Sequence, residues 1–153
     1  MTDRASEKQH LRAAIELAER CPPSETAFSV GAALVGANGA VLSTGYSRES
    51  DPHDHAEETA LAKLDTAGVD LAGATMYSSL EPCSIRASRP RSCTRLILDA
   101  GIRRVVFAWR EPALFVDCEG AELLREAGCT VVEIAELAPL VRATNAHLPG
   151  VRP

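Results

Sequence analysis

The sequence predicts a three-layer α/β fold, with helices on both faces of a five-stranded mixed sheet. Three observations lead there. Short apolar, β-branched segments alternate with segments of helical period. A turn signal, Gly36-Ala37-Asn38-Gly39, joins the first two strands as a hairpin. A helix separates each later pair of strands, which demands right-handed crossovers and parallel pairing. The 153 residues are expected to form a single domain, 1–153, with enough chain to bury a core.

The elements follow in order. Leu11, Ala14, Ile15 and Ala18 line one face of a first helix, which Cys21-Pro22-Pro23 ends. Phe28 to Val35 is strand-like, and Val41 to Tyr46 is its returning partner. A second helix opens at Asp54-His55 and runs to about Thr66, turning Ala60, Leu61 and Leu64 inward. Ala74 to Leu80 reads as a strand, and a loop rich in Pro, Ser and Arg follows it. A third helix, from about Ser92 to Ala100, stops at Gly101, where a closing glycine belongs. Arg103 to Trp109 is a strand, Glu119 to Ala127 a helix closed by Gly128, and Thr130 to Ile134 a strand. A last helix covers roughly Glu136 to Ala146.

Composition narrows the class of protein. With 46% hydrophobic and 24% charged residues the chain is neither disordered nor collagen-like. No apolar run reaches the roughly 18–20 residues that span a bilayer, and MTDRASEKQH lacks a signal peptide's apolar centre. A cytoplasmic protein without a membrane partner is therefore expected. The net charge of -5 works against nucleic-acid binding, which relies on neutralising phosphates. Five cysteines, an odd number, point away from a disulfide framework and toward metal or catalytic use.

His55-Ala56-Glu57, Pro82-Cys83 and Cys93 carry that use. One imidazole and two thiolates offer zinc three protein ligands and leave the fourth tetrahedral position open, as in catalytic rather than structural sites. Water at that position drops from a pKa of about 15.7 to about 7. Glu57, two residues beyond His55, is placed to take a proton from that water and deliver it elsewhere. His55 would open the second helix and Cys93 the third, where helix N-termini favour negative charge. Both starts follow strands and converge on one edge of the sheet, where such folds bind ligands. Two plainer readings stand beside this one. Asp54 and Glu57 have the spacing of a helix cap and its third-residue partner, and His53 offers a second imidazole with a poorer spacing to Glu57. The set matches the zinc-deaminase signature H-x-E…P-C-x-x-C, with a longer second spacing, P-C-x9-C.

Further segments extend that match: Val30-Gly31-Ala32, Ser79-Leu80-Glu81-Pro82-Cys83-Ser84, Arg89, Leu98 through Val106, and Glu119 through Gly128. From about Leu11 to His147 the chain resembles the cytidine-deaminase-like superfamily, most of all the riboflavin-pathway pyrimidine deaminases. The resemblance implies hydrolytic loss of an exocyclic amino group from a nucleobase-like ring, with one Zn2+ per chain and Glu57 as proton carrier. It places Ala27, Phe28, Ser79 and Glu81 at the substrate and makes a homodimer the expected assembly; by itself Phe28 reads either as a wall of the base pocket or, slightly better, as a core aromatic. Arg86 and Arg89, with Arg91 and Arg95, crowd the loop beside the zinc. They read as a clamp for a substrate phosphate or as a solvated surface. Trp109 reads as core, a base-stacking ring or a dimer contact, and Cys21, Cys118 and Cys129 as small buried apolar residues.

Two positions depart from the riboflavin group. Ala27-Phe28 stand where the group has Asn-Pro, and Ile85 stands where it has a histidine. The fused reductase domain common in that group is not expected. The first expected substrate is the riboflavin precursor, a diaminopyrimidinone ribosylamine phosphate. A cytosine- or guanine-type base, nucleoside or nucleotide is the alternative, and a zinc-stabilised ligand-binding module is the non-enzymatic one.

Overall fold

Helix α1 (Arg4–Leu17) starts on Asp3, whose Oδ1 accepts the Ser6 N–H at 2.8 Å and satisfies one of the donors a helix start leaves open. Its Leu11, Ala14 and Ile15 are buried against the sheet. The structure, a computed structural model, describes residues 3–64, 70–84, 90–112 and 118–151.

The sheet has five strands: β1 (Gly31–Val35), β2 (Val41–Tyr46), β3 (Thr75–Leu80), β4 (Arg104–Trp109) and β5 (Thr130–Glu133). Their order across the sheet is β2-β1-β3-β4-β5. β1 runs antiparallel to both neighbours, while β3, β4 and β5 run parallel. Every residue of β1 is buried, as an interior strand covered on both faces requires, whereas β2 leaves Val41 and Leu42 exposed at the edge.

Helices α2 (Ala56–Lys63), α3 (Cys93–Asp99) and α4 (Gly120–Glu126) cover one face of the sheet. Ala56, Ile97 and Leu124 pack there against Ala32, Leu34, Met76 and Val105. α1 and α5 (Ala138–Thr144) cover the other face, on Ala33, Val35, Tyr77, Val106 and Ala108. Strand residues thus alternate between two apolar layers, as the period of two dictates. Among the described residues no helix is long and apolar enough to cross a membrane.

Three of the differences from the expected boundaries have a plain physical description. The strand expected from Phe28 begins at Gly31, because side chains take the N–H groups of the two residues before it. The Ser29 N–H donates to Asn145 Oδ1 at 2.7 Å, and the Val30 N–H donates to Ser47 Oγ at 3.0 Å. α2 ends at Lys63, since Leu64 turns to extended backbone with ψ 126°; the expected end at Thr66 lies outside the described residues. The last helix is preceded by a 3-10 turn, Ala135–Leu137, before α5 proper.

Candidate active site

Three ligand-type side chains meet at the starts of α2 and α3. His55 is the cap residue of α2, with extended backbone at φ -94° and ψ 158°. Its N–H donates to Glu58 Oε1 at 3.2 Å. The glutamate three residues along therefore serves the helix start, and it is Glu58. This corrects the Asp54–Glu57 capping pair: Asp54 Oδ2 instead accepts the Asp51 N–H at 3.0 Å, and Glu57 is released from capping. Cys93 is the first residue of α3, behind the cap Ser92, whose Oγ accepts the Arg95 N–H at 3.2 Å. Cys83 lies just beyond β3, and its carbonyl accepts both Thr94 N–H at 3.1 Å and Thr94 Oγ1–H at 2.8 Å. Those two bonds close the loop between the cysteines and bring Cys83 against the start of α3.

Two glycines permit this approach. A Cβ on Gly45 would fall 2.3 Å from the Ala56 carbonyl oxygen, and one on Gly120 would fall 1.9 Å from the Pro82 carbonyl oxygen. Only a residue without a side chain lets β2 lie against the start of α2, and α4 against the turn that carries Cys83.

His55 Nδ1 lies 3.3 Å from Cys93 Sγ and 3.6 Å from Cys83 Sγ, and all three ligand atoms lie within 4.8 Å of one another. Nitrogen and sulfur bound tetrahedrally to one zinc ion would stand about 3.6 Å apart, so the cluster fits that ion. The Cys93 N–H donates to Cys83 Sγ at 3.2 Å. The Cys83 thiol is held down to about 4, first by the Cys93 thiol and then by the His55 ring and the Cys93 N–H, against the opposing effect of burial. These contacts favour the thiolate, the form a metal binds. Among the described residues this is the one cluster of three such groups able to hold a metal ion.

Glu57 stands beside the cluster with 3% of its surface exposed. Burial raises its carboxyl above the usual range and the Cys83 charge adds to that, while His55, the Glu57 backbone and a hydrogen bond with Cys93 oppose it. A carboxyl whose pKa is raised in this way holds its proton more firmly than a free one, which suits a general acid and base.

The remaining sequence candidates separate. Glu81 is 2% exposed, and its two oxygens accept the Glu111 N–H at 3.0 Å and the Ala121 N–H at 2.9 Å. With Arg110 3.8 Å away, the carboxylate braces the ends of β4 and the start of α4 around the site. Ser79 Oγ accepts the Gly31 N–H at 3.1 Å and is fully buried. Phe28 is buried edge-on against Trp109, with ring centroids 5.9 Å apart, and Ala27 beside it is half-buried. Arg86, Arg89 and Ile85 lie outside the described residues. Arg91 and Arg95 are exposed and pair with Asp99, each at 3.3 Å.

Of two further neighbours of the site, Glu111 went unread in the sequence and Cys118 differs from its reading as a small buried apolar residue. Glu111 follows β4, and its Oε2 is buried without a hydrogen-bond partner among the described residues. Burial raises its carboxyl to about 7; the Cys118 thiol pulls the other way, while the charges of Cys83 and Glu57 add to the rise. Cys118 is a half-buried thiol rather than a plain core residue. It donates to the Pro82 carbonyl at 3.3 Å, and burial pushes its pKa up. The position of Glu111, two residues past the carboxyl end of a parallel strand, was the available signal.

The fold and this cluster define a class: an α/β/α protein with a His/Cys/Cys metal centre and a protonatable carboxyl beside it. The family model for the cytidine and deoxycytidylate deaminase zinc-binding region matches residues 4–109, and the chain belongs to that family. It is 45% identical over 128 residues to diaminohydroxyphosphoribosylamino-pyrimidine deaminase of Schizosaccharomyces pombe, a match covering 82% of this chain and 31% of the relative. Among solved structures it is similar to a diaminohydroxyphosphoribosylaminopyrimidine deaminase/5-amino-6-(5-phosphoribosylamino)uracil reductase from Thermotoga maritima. That likeness has a TM-score of 0.76 and 31% identity, covering 92% of this chain and 39% of the other. It is also similar to Aspergillus oryzae Rib2 deaminase solved in complex with DARIPP, with a TM-score of 0.80 and 26% identity over 94% of this chain and 92% of that one. The chain spans about a third of the length of the curated relatives it matches.

Proposed function

We propose that this chain is a zinc-dependent hydrolytic deaminase acting on the diaminopyrimidinone ribosylamine phosphate for which its relatives are named. The observation that carries this reading is the convergence of His55 Nδ1, Cys83 Sγ and Cys93 Sγ beside the buried carboxyl of Glu57, which Glu58 has freed from capping. These three side chains would hold the zinc ion, one per chain. When bound, zinc supplies Lewis-acid chemistry, lowering the pKa of a water molecule to about 7.

Glu57 then moves protons. Its carboxylate takes one proton from the attacking water and gives it to the ring nitrogen next to the amino-bearing carbon, then takes a second from the hydroxyl so added and gives it to the amine, which leaves as ammonia as the C–N bond breaks and the oxo group forms. A raised pKa suits this cycle, because the group must be deprotonated at one step and protonated at the next. The Ser79 carbonyl and the backbone around Cys83 orient the base, and Phe28 and Ala27 form one wall of its pocket. Arg86 and Arg89 hold the phosphate. The products are an oxo ring and ammonia. As part of the same reading the whole sequence is one deaminase domain, working in the cytoplasm as a homodimer. A solution mass of twice 16.3 kDa would agree with that assembly.

The test is ammonia release by zinc-loaded protein from the phosphorylated precursor, cytidine, dCMP, cytosine and guanine. Turnover of the precursor alone supports the reading, and turnover confined to an unphosphorylated base or nucleoside rejects that substrate. Glu57→Ala should lower the rate by about 10²–10⁴-fold while zinc stays at one per chain. Near-normal turnover by that variant would defeat the mechanism.

A further inference from the structure

Residues 21–30 carry Ala27 and Phe28 but form neither helix nor strand, so side chains from elsewhere must hold them. Asn145 of the C-terminal helix end takes the Ser29 N–H at 2.7 Å and donates to the Ser29 carbonyl at 3.1 Å. His147 Nε2 lies 2.8 Å from the Ser24 carbonyl oxygen. Those contacts tie the segment to the far end of the chain.

Arg48 ties it to the metal centre. Its Nε and Nη2 donate to the Pro22 carbonyl at 3.1 and 2.8 Å, its Nη1 to the Phe28 carbonyl at 3.1 Å, and its Nη2 also to Ser29 Oγ at 3.0 Å. Among the described residues none of the partners given to this cation is a carboxylate. The planar fork is spent on neutral oxygens of one segment, in a geometry the point charge of a lysine does not reproduce. The backbone of Arg48 completes the link: its N–H donates to the Asp54 carbonyl at 2.9 Å, immediately before His55. Arg48 is also the one non-glycine residue with positive φ among the described residues, at 60°. Glycine or asparagine is the usual occupant of that conformation, so the arginine sits there against backbone preference.

We propose that Arg48 is a positioning residue: it clamps the segment carrying Ala27 and Phe28 to the turn that leads into His55, and so sets the separation of pocket wall and metal centre. This inference rests on the deaminase reading above for the meaning of the pocket, but the clamp itself is testable without any substrate. Arg48→Gly is the informative variant, because glycine accepts positive φ without strain, so the loss is that of the side chain and its hydrogen bonds and not of the turn's backbone conformation. Arg48→Lys serves as the second variant, keeping the charge without the fork, and carries the test if Arg48→Gly does not fold.

Two measurements are made on zinc-loaded proteins. In hydrogen exchange the amides of Ala27 to Val30 should exchange about tenfold faster in either variant, with β3 unchanged. In turnover, KM should rise about tenfold with kcat within about threefold, the pattern of lost substrate binding rather than lost chemistry. Unchanged exchange at Ala27 to Val30 would overturn the proposal. So would acceleration spread evenly over the whole sheet, or a fall in kcat at constant KM. Should wild-type protein turn over none of the panel, the deaminase reading fails, and the exchange result alone decides whether Arg48 holds the segment.

Discussion

Gly120→Ala would place a Cβ 1.9 Å from the Pro82 carbonyl oxygen and 3.1 Å from both the Pro82 carbonyl carbon and Thr94 Oγ1. Real Cβ atoms essentially never approach within 3.0 Å, so α4 and the Pro82 turn must part by about 1.1 Å. Neither side yields easily. Glu81 Oε2 holds the Ala121 N–H at 2.9 Å, and Thr94 holds the Cys83 carbonyl through two bonds of 3.1 and 2.8 Å. The displacement therefore passes to Cys83, although zinc–ligand distances tolerate only about 0.2 Å. Overpacking of this kind costs about 1–3 kcal/mol, or about 2–12 °C of melting temperature in a chain of this size. Zinc affinity should fall by at least about tenfold. Thermal melts and a zinc titration against a competing chelator read the two effects separately. A variant with wild-type melting temperature and wild-type zinc affinity would refute the claim that this close approach holds the ligand in place.

The other predictions concern the metal and the charges around it. Saturating zinc should raise the melting temperature of stripped protein, by about 4 kcal/mol of stability at a thousandfold excess over Kd. His55→Ala or Cys83→Ser should abolish that rise; a zinc-dependent rise surviving in both would move the metal elsewhere. In metal-free protein Glu111 holds its proton up to about 7, whereas in the unfolded chain it loses it near 4.5. The folded state therefore binds more protons across that window, and the Glu111 contribution falls as pH rises through it, by up to about 3 kcal/mol. The Cys83 thiolate acts in the opposite sense over the same range, being held at about 4 against an ordinary 9. Comparing Glu111→Gln with wild type at pH 4.5 and 7.5 isolates the first effect: the variant should gain relative stability at the higher pH, and equal differences at both would reject it.

The order of helices and strands and the residues able to bind a metal were legible before any tertiary contact was known. Helical period, the hairpin turn and the closing glycines are local signals, because each depends on residues within a few positions of one another. His55, Glu57, Cys83 and Cys93 were legible for a related reason: soft and titratable side chains in that spacing have few other uses. What lay beyond reach depended on residues far apart along the chain. That β1 enters between β2 and β3 follows from burying both its faces, which no single strand reveals. Glu81 could be read as a substrate contact until Ala121, 40 residues on, was seen to occupy its carboxylate. Capping was divided between Glu57 and Glu58 by a one-residue shift in where α2 begins, since the cap fell on His55 instead of Asp54. Gly45 and Gly120 gave no local hint of a close approach, and Glu111 and Cys118 became neighbours of the site only through the packing of β3 against β4. Local propensity selects residues and elements; the separations that make them a site come from burial and hydrogen-bond satisfaction, which the tertiary structure alone decides.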